Sequence, residues 1–235
     1  MVSVLMQKNI SKQGGVIINI GDEFEENGLC YRVLSNGSLL VLGFAPGTTN
    51  DILRISDEVQ RHIVSSIGAN AFANTAIRKA TLPNSVVSIE ENAFMNCTEL
   101  MRVVMNGYQP MTIKEHAFAG CSILQRVVSE RSVTVCKSAF ADCVSLTTFL
   151  PYVERLREDA FNGCPMLEYI DLSEVSSLEE NALRGSFIKE LGAHNKVFCA
   201  DDVLQHIIQN GIVIEAPKNA AATELIHYGI CVRTP

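Results

Sequence analysis

The dipeptide Ala-Phe recurs at Ala71-Phe72, Ala93-Phe94, Ala117-Phe118, Ala139-Phe140 and Ala160-Phe161, and Ala182-Leu183 continues the series. Successive second residues are 22, 24, 22, 21 and 22 positions apart. Five residues before each anchor stands an aliphatic: Ile67, Ile89, Ile113, Val135, Leu156 and Leu178. Three residues after it stands a small one: Thr75, Cys97, Cys121, Cys143, Cys164 and Ser186. A unit this short cannot bury an apolar face alone, whereas stacked units share one continuous core. The period therefore restricts the chain to a solenoid.

Within a unit the apolar residues fall in two short runs. Leu100, Leu124, Leu146 and Leu167 open the first, with Ile77 and Ile188 arriving one residue early, and Val103, Val127, Phe149 and Ile170 follow three residues on. Pro83-Asn84, Asn106-Gly107 and Pro151 mark corners. Two extended runs joined by turns are expected, with Ala-Phe-x-x-Cys too short for a regular helix and read as one helical or 3₁₀ turn. Ahead of the repeats, residues 28–44 read as a β-hairpin turning at Asn36-Gly37, and residues 51–59 as a lead-in strand.

The run Pro-Asn-Ser-Val-Val-Ser-Ile-Glu-Glu-Asn-Ala-Phe-Met-Asn-Cys-Thr-Glu-Leu (residues 83–100) resembles the BspA-type leucine-rich repeat. The likeness spans about residues 62–205. It implies a leucine-rich-repeat solenoid, β-rich with short helical turns, built as a curved right-handed stack of about six repeats with caps at both ends. On this reading residues 1–61 form the N-terminal cap, 62–205 the repeats and 206–235 the C-terminal cap, all in one continuous domain. The last clear unit has Leu183 for Phe and Ser186 for Cys, and a possible seventh at 199–204 lacks the small residue. The resemblance also implies a role in protein–protein contact, with members that serve as bacterial surface or adhesion modules.

Composition narrows the function further. A net charge of −7 argues against general binding to nucleic acid or an anionic membrane. No stretch approaches the roughly 20 apolar residues that span a bilayer. Residues 1–21 show no secretory pattern, so the expected location is cytoplasmic by default, with the cell surface as the alternative drawn from the family.

The eight cysteines show no C-x₂-C spacing and no ligand pairing that zinc would need. Thr75 and Ser186 replace cysteine in the flanking units, so the position reads as a small filler touching a turn backbone. Stacked equivalents point the same way, which suits disulfides poorly. His62, His116, His194, His206 and His227 are scattered. His116 and Cys121 share a unit, but the cysteine belongs to the inward ladder. With no Gly-rich phosphate loop and no G-x-S-x-G motif, the expectation is no catalytic residue, no cofactor, no metal and no enzymatic activity.

A partner is expected on the strand face. Side chains alternate across a strand, so residues between inward apolars point outward. One outward column reads Lys79, Arg102, Arg126, Thr148, Tyr169 and Glu190; its neighbour reads Thr81, Val104, Val128, Leu150, Asp171 and Gly192. Basic, apolar and aromatic residues side by side are typical of interface centres. Lys79, Arg102, Val104, Arg126, Val128, Thr148, Leu150, Tyr169 and Asp171 are therefore the candidate partner-binding residues. The expected partner is a protein whose identity, like the oligomeric state, the sequence leaves open. Carbohydrate or matrix binding at a cell surface is the alternative.

Overall fold

In the computed structural model, which describes residues 18–171, 177–179, 181–186, 190–192, 213–215 and 231–233, the repeats alternate between two sheets. The chain enters through β1 (Glu23–Glu26), β2 (Leu29–Val33), β3 (Leu39–Phe44), β4 (Ile52–Arg54), β5 (Glu58–Val59) and β6 (His62–Ile67). Next come β7 (Lys79–Leu82), β8 (Ser88–Ile89), β9 (Arg102–Met105), β10 (Met111–Ile113), β11 (Arg126–Ser129) and β12 (Ser132–Val135). The series runs on through β13 (Thr148–Phe149), β14 (Tyr152–Leu156), β15 (Tyr169–Asp171), β16 (Ser177–Leu178) and β17 (Glu190–Gly192). Two further strands follow, β18 (Val213–Glu215) and β19 (Cys231–Arg233).

The first sheet has the order β1-β2-β3-β6-β8-β10-β12-β14-β16, with β5 paired to β6. The second has the order β4-β7-β9-β11-β13-β15-β17-β18-β19. Pairings between successive repeats are parallel, and residues one repeat apart face each other: Ala80 with Val103, Val103 with Val127, Ile89 with Ile113, Ile113 with Val135. Register follows the sequence period because a slip of one residue would turn every inward aliphatic to water.

The anchors line the core. Phe72, Phe94, Phe118, Phe140 and Phe161 stack ring on ring with centroids 5.0 to 5.3 Å apart. Ala80, Val103, Val127, Phe149 and Ile170 are fully buried from one sheet, and Ile67, Ile89, Ile113, Val135 and Leu156 from the other.

Among the described residues there is no helix, and the expected helical or 3₁₀ turn is a run of reverse turns instead. In the first repeat the amides of Ala71, Ala73 and Thr75 bond to the carbonyls of Gly68, Asn70 and Phe72 in their own coil. The intervening amides of Asn70, Phe72 and Asn74 bond outward to Glu91, Ala93 and Met95 of the next coil. A helix would keep every amide for itself. Left-handed residues prevent that: Asn70, Asn92, His116, Ser138, Asp159 and Asn181 all have φ between 53 and 58°. Two residues after each anchor lies a second set, among them Asn74, Asn96, Gly120 and Asp142. The turns therefore form a ladder of their own.

The N-terminal strands extend the first sheet. β2 and β3 pair antiparallel as the sequence implies, and β3 joins the repeats by parallel pairing to β6. β1 adds a second hairpin, paired to β2 around Asn27-Gly28. At the other end β18 and β19 carry the second sheet on, Val213 facing Glu190 and Cys231 facing Val213. Both lie past residue 205, while the possible seventh unit at 199–204 falls outside the described residues.

Candidate binding face

The second sheet offers one outward surface. In β7 the side chains of Ala80 and Leu82 are buried and those of Lys79 and Thr81 are half-buried. In β9 and β11 Val103, Met105, Val127 and Ser129 turn inward, leaving Arg102 and Arg126 exposed and Val104 and Val128 half-buried. Parallel pairing sets Lys79 beside Arg102, Arg102 beside Arg126, and Arg126 beside Thr148. The same pairing sets Thr81 beside Val104 and Val104 beside Val128. Leu150, 41% exposed, continues that second column, since its amide bonds to the Val127 carbonyl at 3.0 Å.

Tyr169 and Asp171 occupy the two ends of β15, where they face Glu190 and Gly192. Asp171 is half-buried. At the opposite edge β4 places Ile52 beside Lys79 and Arg54 beside Thr81. These two residues were absent from the sequence-derived set, although they belong to the lead-in strand. Ile52 is 45% exposed. With Asn27, Leu29, Phe44, Asn50, Leu53 and Arg54 it lines an open hollow of about 270 Å³ beside the sheet edge.

Charge is distributed unevenly around the coil. Lys114 meets Glu90 and Glu91, Lys137 meets Glu158, and Arg157 meets Glu179, all at the corner that follows the first sheet. Arg32 pairs with Glu23 in the N-terminal hairpin. On the second sheet Arg54, Lys79, Arg102 and Arg126 have no carboxylate within 4.0 Å among the described residues, and neither does the adjacent, exposed Arg78.

The cysteines face the interior and bond to backbone. The thiols of Cys97, Cys121, Cys143 and Cys164 donate to the carbonyls of Phe72, Phe94, Phe118 and Phe140, each one coil earlier, at 3.0 to 3.2 Å. All four are free and fully buried. Burial pushes the Cys143 thiol well above its ordinary range. Cys121 lies inside, whereas His116 occupies a left-handed corner position. Histidine 62 bonds through Nδ1 to the Gly37 carbonyl at 2.7 Å. No cluster of three or more metal-ligating side chains occurs among the described residues. No helix there is long and apolar enough to cross a membrane.

A family model, the BspA type leucine rich repeat region, matches residues 65–189 in six copies. No curated protein matches the chain in sequence. Among solved structures, a leucine rich cell surface protein from Faecalibacterium prausnitzii superposes with a TM-score of 0.63 at 18% identity. That alignment covers 84% of this chain and 55% of the other, so the chain spans little more than half its length. A leucine rich repeat protein of T. pallidum superposes with a TM-score of 0.61 at 20% identity, covering 76% of this chain and 86% of the other.

Proposed function

Because the chain belongs to the BspA-type leucine-rich repeat family, we propose that it is a non-enzymatic protein-interaction module that binds its partner on the outward face of the second sheet. The observation that carries this reading is the column Lys79–Arg102–Arg126–Thr148, held in register on four adjacent strands beside Val104, Val128 and Leu150. Nine strands at a spacing of about 4.8 Å make a face roughly 40 Å long, enough for a folded partner's edge or an extended segment. Exposed arginines beside half-buried aliphatics match the make-up of interface centres.

Photo-cross-linking tests it. A photoreactive residue at position 128, on the face, is expected to trap a protein from source-cell extract, and one at position 134, on the first sheet, is not. The triple variant Arg102→Glu, Arg126→Glu, Tyr169→Ala is expected to abolish the adduct while keeping the wild-type circular dichroism spectrum. An undiminished adduct in a folded triple variant sinks the sheet-face assignment.

A second reading, adhesion or carbohydrate/matrix binding at a cell surface, draws support from the F. prausnitzii structure, which is described as a cell surface protein. Labelling intact source cells with an impermeant biotin reagent tests it. Labelling only after lysis removes this reading.

A further inference from the structure

We propose that the partner presents an acidic protein segment, with carboxylates over Lys79, Arg102 and Arg126 and apolar side chains over Val104, Val128 and Leu150. This deepens the sheet-face assignment above and rests on it. The argument begins with the scarcity of cations in a chain of net charge −7. Around the corner after the first sheet, Lys114, Lys137 and Arg157 are each matched to a glutamate. Arg131 is buried against backbone carbonyls. Arg61, Arg131 and Arg184 apart, every arginine or lysine whose side chain is described and that has no ion pair among the described residues lies on or beside the second sheet: Arg54, Arg78, Lys79, Arg102 and Arg126.

Like charges on neighbouring strands repel, and parallel pairing holds Lys79, Arg102 and Arg126 at successive spacings of about 4.8 Å. A ligand carrying carboxylates relieves that repulsion; water and salt only screen it. The second column decides between an acidic protein and a simple polyanion. Val104, Val128 and Leu150 lie two residues along the strands, about 6.7 Å from the basic column, and give a sulfated glycan or nucleic acid nothing to match. A segment mixing Glu or Asp with Leu or Val, laid along the stack axis over the boundary between the columns, satisfies both.

Fluorescence anisotropy on the full chain tests this with four labelled probes: a short peptide of glutamate interspersed with leucine and valine, its glutamine-for-glutamate version, heparin and single-stranded DNA. The acidic peptide is expected to bind tightest. Its affinity should fall about tenfold in Arg102→Glu/Arg126→Glu and stay within a few-fold in Arg102→Lys/Arg126→Lys. Equal binding of the glutamine peptide, tighter binding of heparin or DNA, or no loss on charge reversal overturns the proposal. If the triple variant loses its cross-linked partner while the acidic peptide binds no better than its glutamine version, the acidic partner fails and the sheet face stands. If that adduct survives, the sheet face itself fails.

Discussion

The thiol of Cys121 donates a hydrogen bond to the carbonyl oxygen of Phe94, one coil earlier, at 3.1 Å. The hydroxyls at the equivalent place behave differently: Thr75 and Ser186 bond to Phe72 and Leu183 within their own coils. The longer carbon–sulfur bond lets the thiol reach across the gap between coils. Cysteine thus ties its coil to the backbone of the one before, whereas the Thr75 hydroxyl bonds to backbone in its own turn and meets the next coil only at the Cys97 thiol, 3.4 Å away.

This gives an order for substitutions at position 121. Cys121→Ser should cost under about 1 kcal/mol, exchanging the bond across coils for a local one. Cys121→Ala should cost about 1–2 kcal/mol, losing both the bond and buried volume. Urea unfolding monitored by circular dichroism reads the order, and equal losses for the two variants would contradict it.

Burial holds the Cys143 proton far above the ordinary thiol value of 9.0, so the folded chain retains a proton that the unfolded chain releases. Stability from this group is complete below about pH 9 and is lost as pH rises from there towards the folded value. The urea midpoint should fall between about pH 8 and pH 10, and Cys143→Ser should fall less steeply. A slope unchanged by that substitution would remove Cys143 as its source.

Gly43 joins the N-terminal hairpin to the first repeat. Its φ is +134°, and a Cβ there would stand 2.4 Å from the Ala71 carbonyl oxygen. Gly37, at the tip of the hairpin, has φ +79° and nothing within 4 Å of its would-be Cβ. Gly43→Ala should therefore cost several kcal/mol, about 3 or more, against about 1 for Gly37→Ala. Thermal melts of the two variants should separate clearly, and similar melts would mean that the hairpin is not clamped at Gly43.

Asn92 has φ +56° and begins the turn before Phe94. Asparagine tolerates this region, glycine prefers it and alanine resists it. Asn92→Ala should destabilise by about 1 kcal/mol, and Asn92→Gly should be near neutral. Equal losses on urea unfolding would show that the side chain rather than the backbone matters here.

The anchors and register were legible because burial enforces a period, and Phe72 to Phe161 repeat it. The Ala-Phe-x-x-Cys segment by itself is compatible with a helical turn, and the residues that rule one out flank its anchor. Asn70, Asn92 and Asp159, two residues before their anchors, are residue types that accept positive φ and argue against a helix. The same kind of signal at Asn27-Gly28 marks the hairpin that adds β1. In the face, Lys79, Arg102 and Arg126 could be aligned by counting. Ile52 and Arg54 could not, because β4 precedes the first anchor and has no phase to count from.

Arg131 had no signal at all, because its partners lie 45 and 47 residues earlier in the chain. The side chain is fully buried, and its guanidinium donates to the carbonyls of Val86 and Asn84, each at 2.6 Å, while Nε finds no partner. Burial lowers its proton affinity and the charge of Asp57 opposes that. A buried cation without a carboxylate at contact distance is costly, so these two bonds must hold it in place. Removing the guanidinium leaves two corner carbonyls facing an apolar gap. Arg131→Met, which keeps the volume, should cost about 2–3 kcal/mol. Arg131→Lys, which can still reach one carbonyl, should cost less. Denaturant unfolding of the two variants reads the difference. If Arg131→Met proves as stable as wild type, the buried charge is a burden on the fold and the carbonyls find other donors.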